Sequence, residues 1–209
     1  MRAVLICNGS VGSKLLHKNI SKGDFIVAVD GGANKLLKTK FHPDIIIGDM
    51  DSINSAARHS FKNVKMLSYP REKDKVDLEL ALNYCIERKF REILILGAIG
   101  SRADMTLTNI FLLDKIPQEI SAKILHQNQE IFLIRGRTVL HGIPGETISF
   151  FPLNKPVKGL TLKGFKYALN NFNLSFGIGL GLSNEFRDKK AEVSFSEGPL
   201  VCVHFKKYY

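Results

Sequence analysis

Residues 43–52 read PDIIIGDMDS, three consecutive isoleucines that stop at a glycine and then present two aspartates with one methionine between them. An unbroken β-branched run suits a strand buried on both faces, as in a parallel sheet covered by helices, better than a strand with one wet face. Similar runs recur at AVLIC (3–7), FIVAVD (25–30), EILILG (92–97) and AKILH (122–126). Between them, DLELALNYCIERK (77–89) places Leu78, Ala81, Leu82 and Cys85 at helical spacing. MTLTNIFLLDK (105–115) does the same with Leu107, Ile110, Phe111 and Leu113. Strands alternating with helices predict an α/β domain with a mainly parallel sheet covered by helices over residues 1–127.

Past residue 128 the helical period disappears. Segments such as GETISFFPL (145–153), FNLSFGIGLGLSN (172–184) and LVCVHF (200–205), punctuated by HGIPGE, NKPVKG and SEGP, predict an all-β domain over 128–209, a sandwich or a barrel. Within it, a strand over 175–183 would put Ser175, Gly177, Gly179, Gly181 and Ser183 on one nearly bare face, opposite Phe176, Ile178, Leu180 and Leu182. A bare face suits close backbone packing or a ligand lying against it.

The 209 residues are 44% hydrophobic, enough for a real core. Thirty Lys and Arg against 20 Asp and Glu give a net charge of +10, which favours anionic partners such as nucleotide phosphates. The basic residues are scattered rather than blocked, so nucleic acid is not an expected partner. Cys7, Cys85 and Cys202 are far apart, without zinc-ligand spacing, and read as reduced core residues. No apolar run approaches the roughly 18 to 20 residues of a membrane span, and the first apolar run is too short for a secretory signal. No membrane association and a cytoplasmic location are expected.

Four strand ends carry the chemistry. VAVDGGAN puts Asp30 before Gly31 and Gly32, where backbone amides can approach an anion; capping of the next helix by Asp30 is the alternative. Asp49 and Asp51 would converge if the chain stays extended, and Mg²⁺ is the hard, oxygen-seeking cation for such a pair. REKDKVDLELAL sets Asp74 and Asp77 three apart at a helix start, on one face, a pattern that also resembles a capping box. LILGAIGSRADMTLTN follows a strand with Gly97, Gly100, Arg102 and Asp104, a loop of amides plus a fixed cation suited to phosphate. Five or six carboxylates gathered at one sheet edge exceed what independent helix caps require.

In order and spacing, DGGAN (30–34), PDIIIGDMDS (43–52), EKDKVDLELAL (72–82), LGAIGSRADMTLTNIFLL (96–113) and GLSNE (181–185) resemble the thiamine pyrophosphokinase family over nearly the whole chain. The resemblance implies an α/β domain that binds ATP and Mg²⁺, followed by a β-sandwich that binds thiamine and dimerises. It implies a homodimer whose active sites both subunits build, and transfer of a pyrophosphoryl group from ATP to the thiamine hydroxyl, giving thiamine diphosphate and AMP. Carried over by position, Asp49, Asp51 and Asp77 match metal and phosphate-site aspartates. Asp30, Asp74, Arg102 and Asp104 match further active-site positions, and Ser183 and Asn184 the thiamine side. The chain departs from the family at Val76, where many members have Thr, and at Met105, where many have His. With no Trp, stacking on thiamine falls to Phe or Tyr, with Phe172 and Phe186 as candidates unless they serve the core. Another metal-dependent, nucleotide-using transferase with a DxD motif is the alternative. A haloacid-dehalogenase-type phosphatase is disfavoured by Ile53 where its motif needs Thr or Val, and a glycosyltransferase leaves Asp74 and Asp77 unexplained.

Overall fold

Isoleucine, valine and leucine runs form the first sheet in the computed structural model, which describes residues 1–72 and 74–207. The chain divides into two units, Met1–Gln127 and Asn128–Tyr209. In the first, β1 (Arg2–Ile6) leads to α1 (Ser13–Asn19), β2 (Phe25–Val29), a 3-10 turn (Asp30–Gly32) running into α2 (Ala33–Leu36), and β3 (Ile45–Gly48). There follow α3 (Ser55–Ser60), β4 (Lys65–Ser68), α4 (Asp77–Glu87), β5 (Glu92–Leu96), α5 (Ala103–Phe111), a second 3-10 turn (Leu112–Lys115) and β6 (Ser121–His126).

These strands lie in the order β6-β5-β1-β2-β3-β4, and their described pairings are parallel. Val4, Ile6, Ile26, Ala28, Ile46, Leu94 and Leu96 share a core with Leu16, Ile20, Leu36, Ala57 and Phe61 from α1, α2, α3 and the residues that follow them. Leu5, Val27, Ile47 and Ile95, which alternate with them along the strands, are equally buried, and α4 packs against β2 and β3. Each such side chain contributes about 1.5–3 kcal/mol by leaving water, which is why the runs read as continuous rather than alternating.

The chain steps outward from β1 through β4, then returns to the other side of β1 for β5 and β6. The order therefore reverses between β1 and β5, and ligands of open α/β sheets bind at such a reversal, beyond the carboxyl ends of the strands. The loops leaving β1 and β5 are tied together there: the Gly9 amide donates to the Gly97 carbonyl at 2.8 Å and the Ser10 amide to that of Ile99 at 2.7 Å. Gly97 has φ +71°, and a Cβ there would collide with the Cys7 carbonyl, so only glycine permits this approach.

Two helices differ from expectation, one in its periodicity and one in the capping box that would start it at Asp74. The one over 105–115 is α5 plus a 3-10 turn, with Asn109, Leu112 and Leu113 buried while Leu107 and Phe111 are about half exposed. The helix near Asp74 begins later: Val76 is extended at φ −73°, ψ 155° as the N-cap, so Asp77 is the first helical residue and Asp74 lies outside the helix. The capping-box reading therefore fails. The edge strand β4, with only Met66 and Leu67 partly buried, lacks the apolar run that marks its neighbours.

In the second unit, β7 (Gln129–Ile134), β8 (Thr138–His141), β9 (Thr147–Pro152), β10 (Val157–Lys163), β11 (Leu169–Leu174), β12 (Asn184–Glu185), β13 (Lys190–Ser194) and β14 (Leu200–Phe205) pair antiparallel. They form the sheets β12-β9-β14-β7 and β11-β10-β13-β8. Ile148, Phe150, Leu200 and Cys202 of the first sheet share one core with Leu160, Leu162, Ala191 and Val193 of the second, which makes a sandwich. The segment 172–184 is not one strand. β11 ends at Leu174, Gly177 turns at φ +77°, and Gly179–Gly181 forms a 3-10 turn, so the anticipated two-faced strand is absent and Phe176, Ile178, Leu180 and Leu182 are exposed.

Candidate active site

A cavity of about 410 Å³ opens at the reversal between β1 and β5. Its wall includes Asn8 and Gly9 after β1, Asp30 after β2, Asp51 after β3, Asp77 at the start of α4, and Gly97, Gly100 and Arg102 after β5. Every one follows or precedes an element whose end the sheet topology brings to this edge.

Asp30 is 7% exposed, has φ +44°, and its Oδ1 is buried without a hydrogen-bond partner. Burying an unsatisfied carboxylate oxygen is costly, so such an atom in a cavity wall marks a place for a ligand. Oxygens of Asp30, Asp49 and Asp51 all lie within 4.8 Å of one another. Carboxylates this close repel unless a cation stands between them, and an oxygen-only donor set fits a hard divalent ion. The orphaned Oδ1 of Asp30 and the close trio together fit such an ion.

Asp49 and Asp51 converge by a different route from the extended chain expected. Met50 between them has φ +66°, a left-handed turn that costs a non-glycine residue about 1–2 kcal/mol. Its side chain is buried in the core of the first unit while Asp49 Oδ1 accepts the Asp51 amide at 3.2 Å. Ser52 Oγ donates to Asp51 Oδ1 at 2.9 Å, and the Arg71 guanidinium stands 3.7 Å from Asp51 Oδ2. Sequence reading had no signal for Arg71, which lies in a loop.

Arg102 is the N-cap residue of α5 and forms a two-pronged ion pair with Asp104. The hydrogen bond from Arg102 holds the Asp104 carboxyl at about 2, so it stays ionised. Both side chains are largely exposed, so the pair contributes little to stability and serves to orient the guanidinium. Cys7 in the cavity wall is no nucleophile: burial, then the nearby Asp77 carboxylate, push its thiol up to about 12. Asn109 on α5 donates from Nδ2 to the Ala98 carbonyl at 2.7 Å, which pins the loop after β5.

Thus Asp30, Asp51, Asp77, Gly97, Gly100 and Arg102 are brought together, with Asp49 joining through the carboxylate trio. Gly31 is buried beneath Asn8, against whose side chain a Cβ would clash, and lies behind the wall rather than in it. Among the described residues, Asp74 and Asp104 are exposed and outside the wall. In the second unit, Ser183 has φ +52° and its amide donates to Ser149 Oγ at 3.1 Å. Asn184 is 3% exposed and fully engaged: Nδ2 donates to the Tyr167 carbonyl at 2.7 Å, and Oδ1 accepts the amides of Tyr167 and Glu185. Phe186 is in the core, stacked on His204 with ring centroids 4.8 Å apart, so core packing accounts for it. No motif marks Asn109 in the sequence, and only CNGS directly after the first apolar run marks Asn8 and Gly9.

Residues 16–125 match the sequence model described as "Thiamin pyrophosphokinase, catalytic domain", and residues 136–200 the one described as "Thiamin pyrophosphokinase, vitamin B1 binding domain". Thiamine pyrophosphokinase of Bacillus subtilis is 33% identical over 190 residues, 85% of each chain. A crystal structure of thiamine pyrophosphokinase from Bacillus subtilis superimposes with a TM-score of 0.89 at 28% identity, covering 100% of both chains. The yeast thiamin pyrophosphokinase structure shares the fold, with a TM-score of 0.83 at 18% identity over 97% of this chain and 86% of that one. On a catalytic-domain match that spans more than half its residues and a relative one-third identical, the chain belongs to the thiamine pyrophosphokinase family.

Proposed function

We infer that the cavity at the sheet reversal is where this chain carries out the family's reaction, transfer of a pyrophosphoryl group from ATP to thiamine. The observation that carries the reading is the trio Asp30, Asp49 and Asp51 beside glycine loops and Arg102, because attack on a triphosphate is limited by charge and alignment. Asp30, Asp49 and Asp51 would hold Mg²⁺, which supplies charge neutralisation at the phosphate oxygens. The loops after β1 and β5 would line the phosphates, and Arg102, held by Asp104, would offset further negative charge. Asp77, in the same wall but outside the trio, accepts the proton of the thiamine hydroxyl as that oxygen bonds to the β-phosphorus and AMP departs. Asp74 lies outside this arrangement.

The unit 128–209 is the thiamine-binding and dimerising part in this reading, and the homodimer builds each site from both subunits. Exposed Phe176, Ile178, Leu180 and Leu182 support an interface there. The cytoplasm is the compartment, in keeping with three free cysteines, and no helix among the described residues is long and apolar enough to cross a membrane. Incubation with ATP, Mg²⁺ and thiamine, followed by mass analysis, should yield AMP and thiamine diphosphate in equal amounts. Formation of ADP with thiamine monophosphate, or no thiamine product, would overturn the reading.

A further inference from the structure

The left-handed Met50 places two carboxylates side by side, and its buried side chain alone does not set the orientation of the peptide that follows it. Two side chains outside the cavity wall act on that turn. Arg58, on α3, donates from Nη2 to the Met50 carbonyl at 2.8 Å, so this guanidinium serves a main-chain oxygen beside the carboxylates. Asn34, on α2, grips the turn's far end with both halves of its amide: Nδ2 donates to the Ser52 carbonyl at 2.8 Å, and Oδ1 accepts the Asn54 amide at 3.0 Å.

Asn54 closes the circuit. As N-cap of α3 its Oδ1 accepts the Ala57 amide at 2.8 Å, and its carbonyl accepts the Arg58 amide at 3.0 Å. Met50, Ser52 and Asn54 are thereby tied to α2 and α3, which are anchored in the core by Leu36 and Ala57.

We propose that Asn34 and Arg58 are positioning residues that hold the Asp49–Asp51 turn in its metal-binding shape. They fix the carboxylates before the cation arrives, so binding need not also order the turn. This rests on the reading that Asp30, Asp49 and Asp51 hold Mg²⁺.

The test follows thermal unfolding of the full chain across a Mg²⁺ series, with the non-cleavable α,β-methylene-ATP at fixed concentration. Arg58→Gln and Asn34→Ala should each raise the Mg²⁺ concentration that gives half the stabilisation by about tenfold, the low end for outer-shell partners of metal sites. Arg58→Lys, which keeps a donor, should recover most of the affinity. At saturating Mg²⁺ both variants should return to within about twofold of the parent kcat, with KM for thiamine unmoved, whereas general damage would lower kcat at every Mg²⁺ concentration. If Asn34→Ala fails to fold, Asn34→Asp serves, because it keeps the acceptor for Asn54 and loses the donor to Ser52. Unchanged Mg²⁺ midpoints in the variants, while the parent responds and Asp51→Asn does not, would overturn the clamp alone. A parent chain blind to Mg²⁺, or an Asp51→Asn variant with the parent's response, would overturn the metal reading and the clamp with it.

Discussion

Asp30 in the first unit and Glu146 in the second are both buried carboxylates, 7% and 0% exposed, on a chain of net charge +10, yet their surroundings are opposite. Glu146 uses every oxygen: Oε2 accepts the Ile143 amide at 2.9 Å and meets His204 Nε2 at 2.8 Å, Oε1 accepts the Lys207 amide at 2.8 Å, and Lys206 stands 3.5 Å away. Asp30 leaves Oδ1 with no partner and has two other carboxylates beside it. A buried charge that is completely satisfied joins strands, whereas one left short of partners in a cavity wall is arranged for something that comes and goes. On the proposed function, the contrast separates a structural acid from a metal-holding one more sharply than burial or sequence context could.

The largest expected effect is on the catalytic side. Asp30→Asn should lower kcat/KM by at least about 100-fold while leaving the urea unfolding midpoint unchanged or higher, because it removes repulsion within the trio. Activity near the parent level would erase the distinction. Glu146→Gln should do the reverse, costing about 2 kcal/mol in urea unfolding because two amides and a neutral His204 lose a charged acceptor, with KM values kept. A variant as stable as the parent would show that this buried network is dispensable.

The pH profile sharpens the same contrast with a smaller effect. Burial raises the Glu146 carboxyl, but the amides of Ile143 and Lys207, with His204 and Lys206, outweigh it and hold the group below its ordinary 4.5. Burial, then Lys206, holds His204 below its ordinary 6.5 against the pull of Glu146. In both cases the unfolded chain binds the proton more readily, so protons favour unfolding. Their stabilisation is complete above about pH 6.5, weakens as unfolded His204 gains its proton, and weakens again below about pH 4.5 as Glu146 follows. Melting temperatures taken between pH 8 and 4 should fall in that order, and Glu146→Gln should flatten the lower step.

Much of the first unit was legible. Runs such as AVLIC and FIVAVD announce strands covered on both sides because hydrophobic burial on two faces demands continuous apolar sequence. KMLS at 65–68 was silent because an edge strand buries little. At the site, the aspartates and Arg102 stood out as strand-end and helix-start residues, but Asp74 was misplaced because helix starts depend on a single dihedral, here the extended Val76. In the second unit, SFGIGLGLS alternates as a strand does, yet Gly177 and Ser183 take positive φ, and glycine-rich chain loses too much entropy to favour a strand without a partner.

The sequence by itself determined that an α/β half precedes an all-β half, and that carboxylates, glycines and an arginine follow successive strands, since periodicity and strand-end chemistry are local properties. Tertiary structure alone decided that Asp30 joins Asp49 and Asp51, that Asp77 faces the same cavity while Asp104 does not, and that Asn34 and Arg58 brace the turn. Those relations depend on which strands are neighbours and on one left-handed residue, Met50. Both follow from the free energy of packing the whole sheet, which no short window of sequence contains.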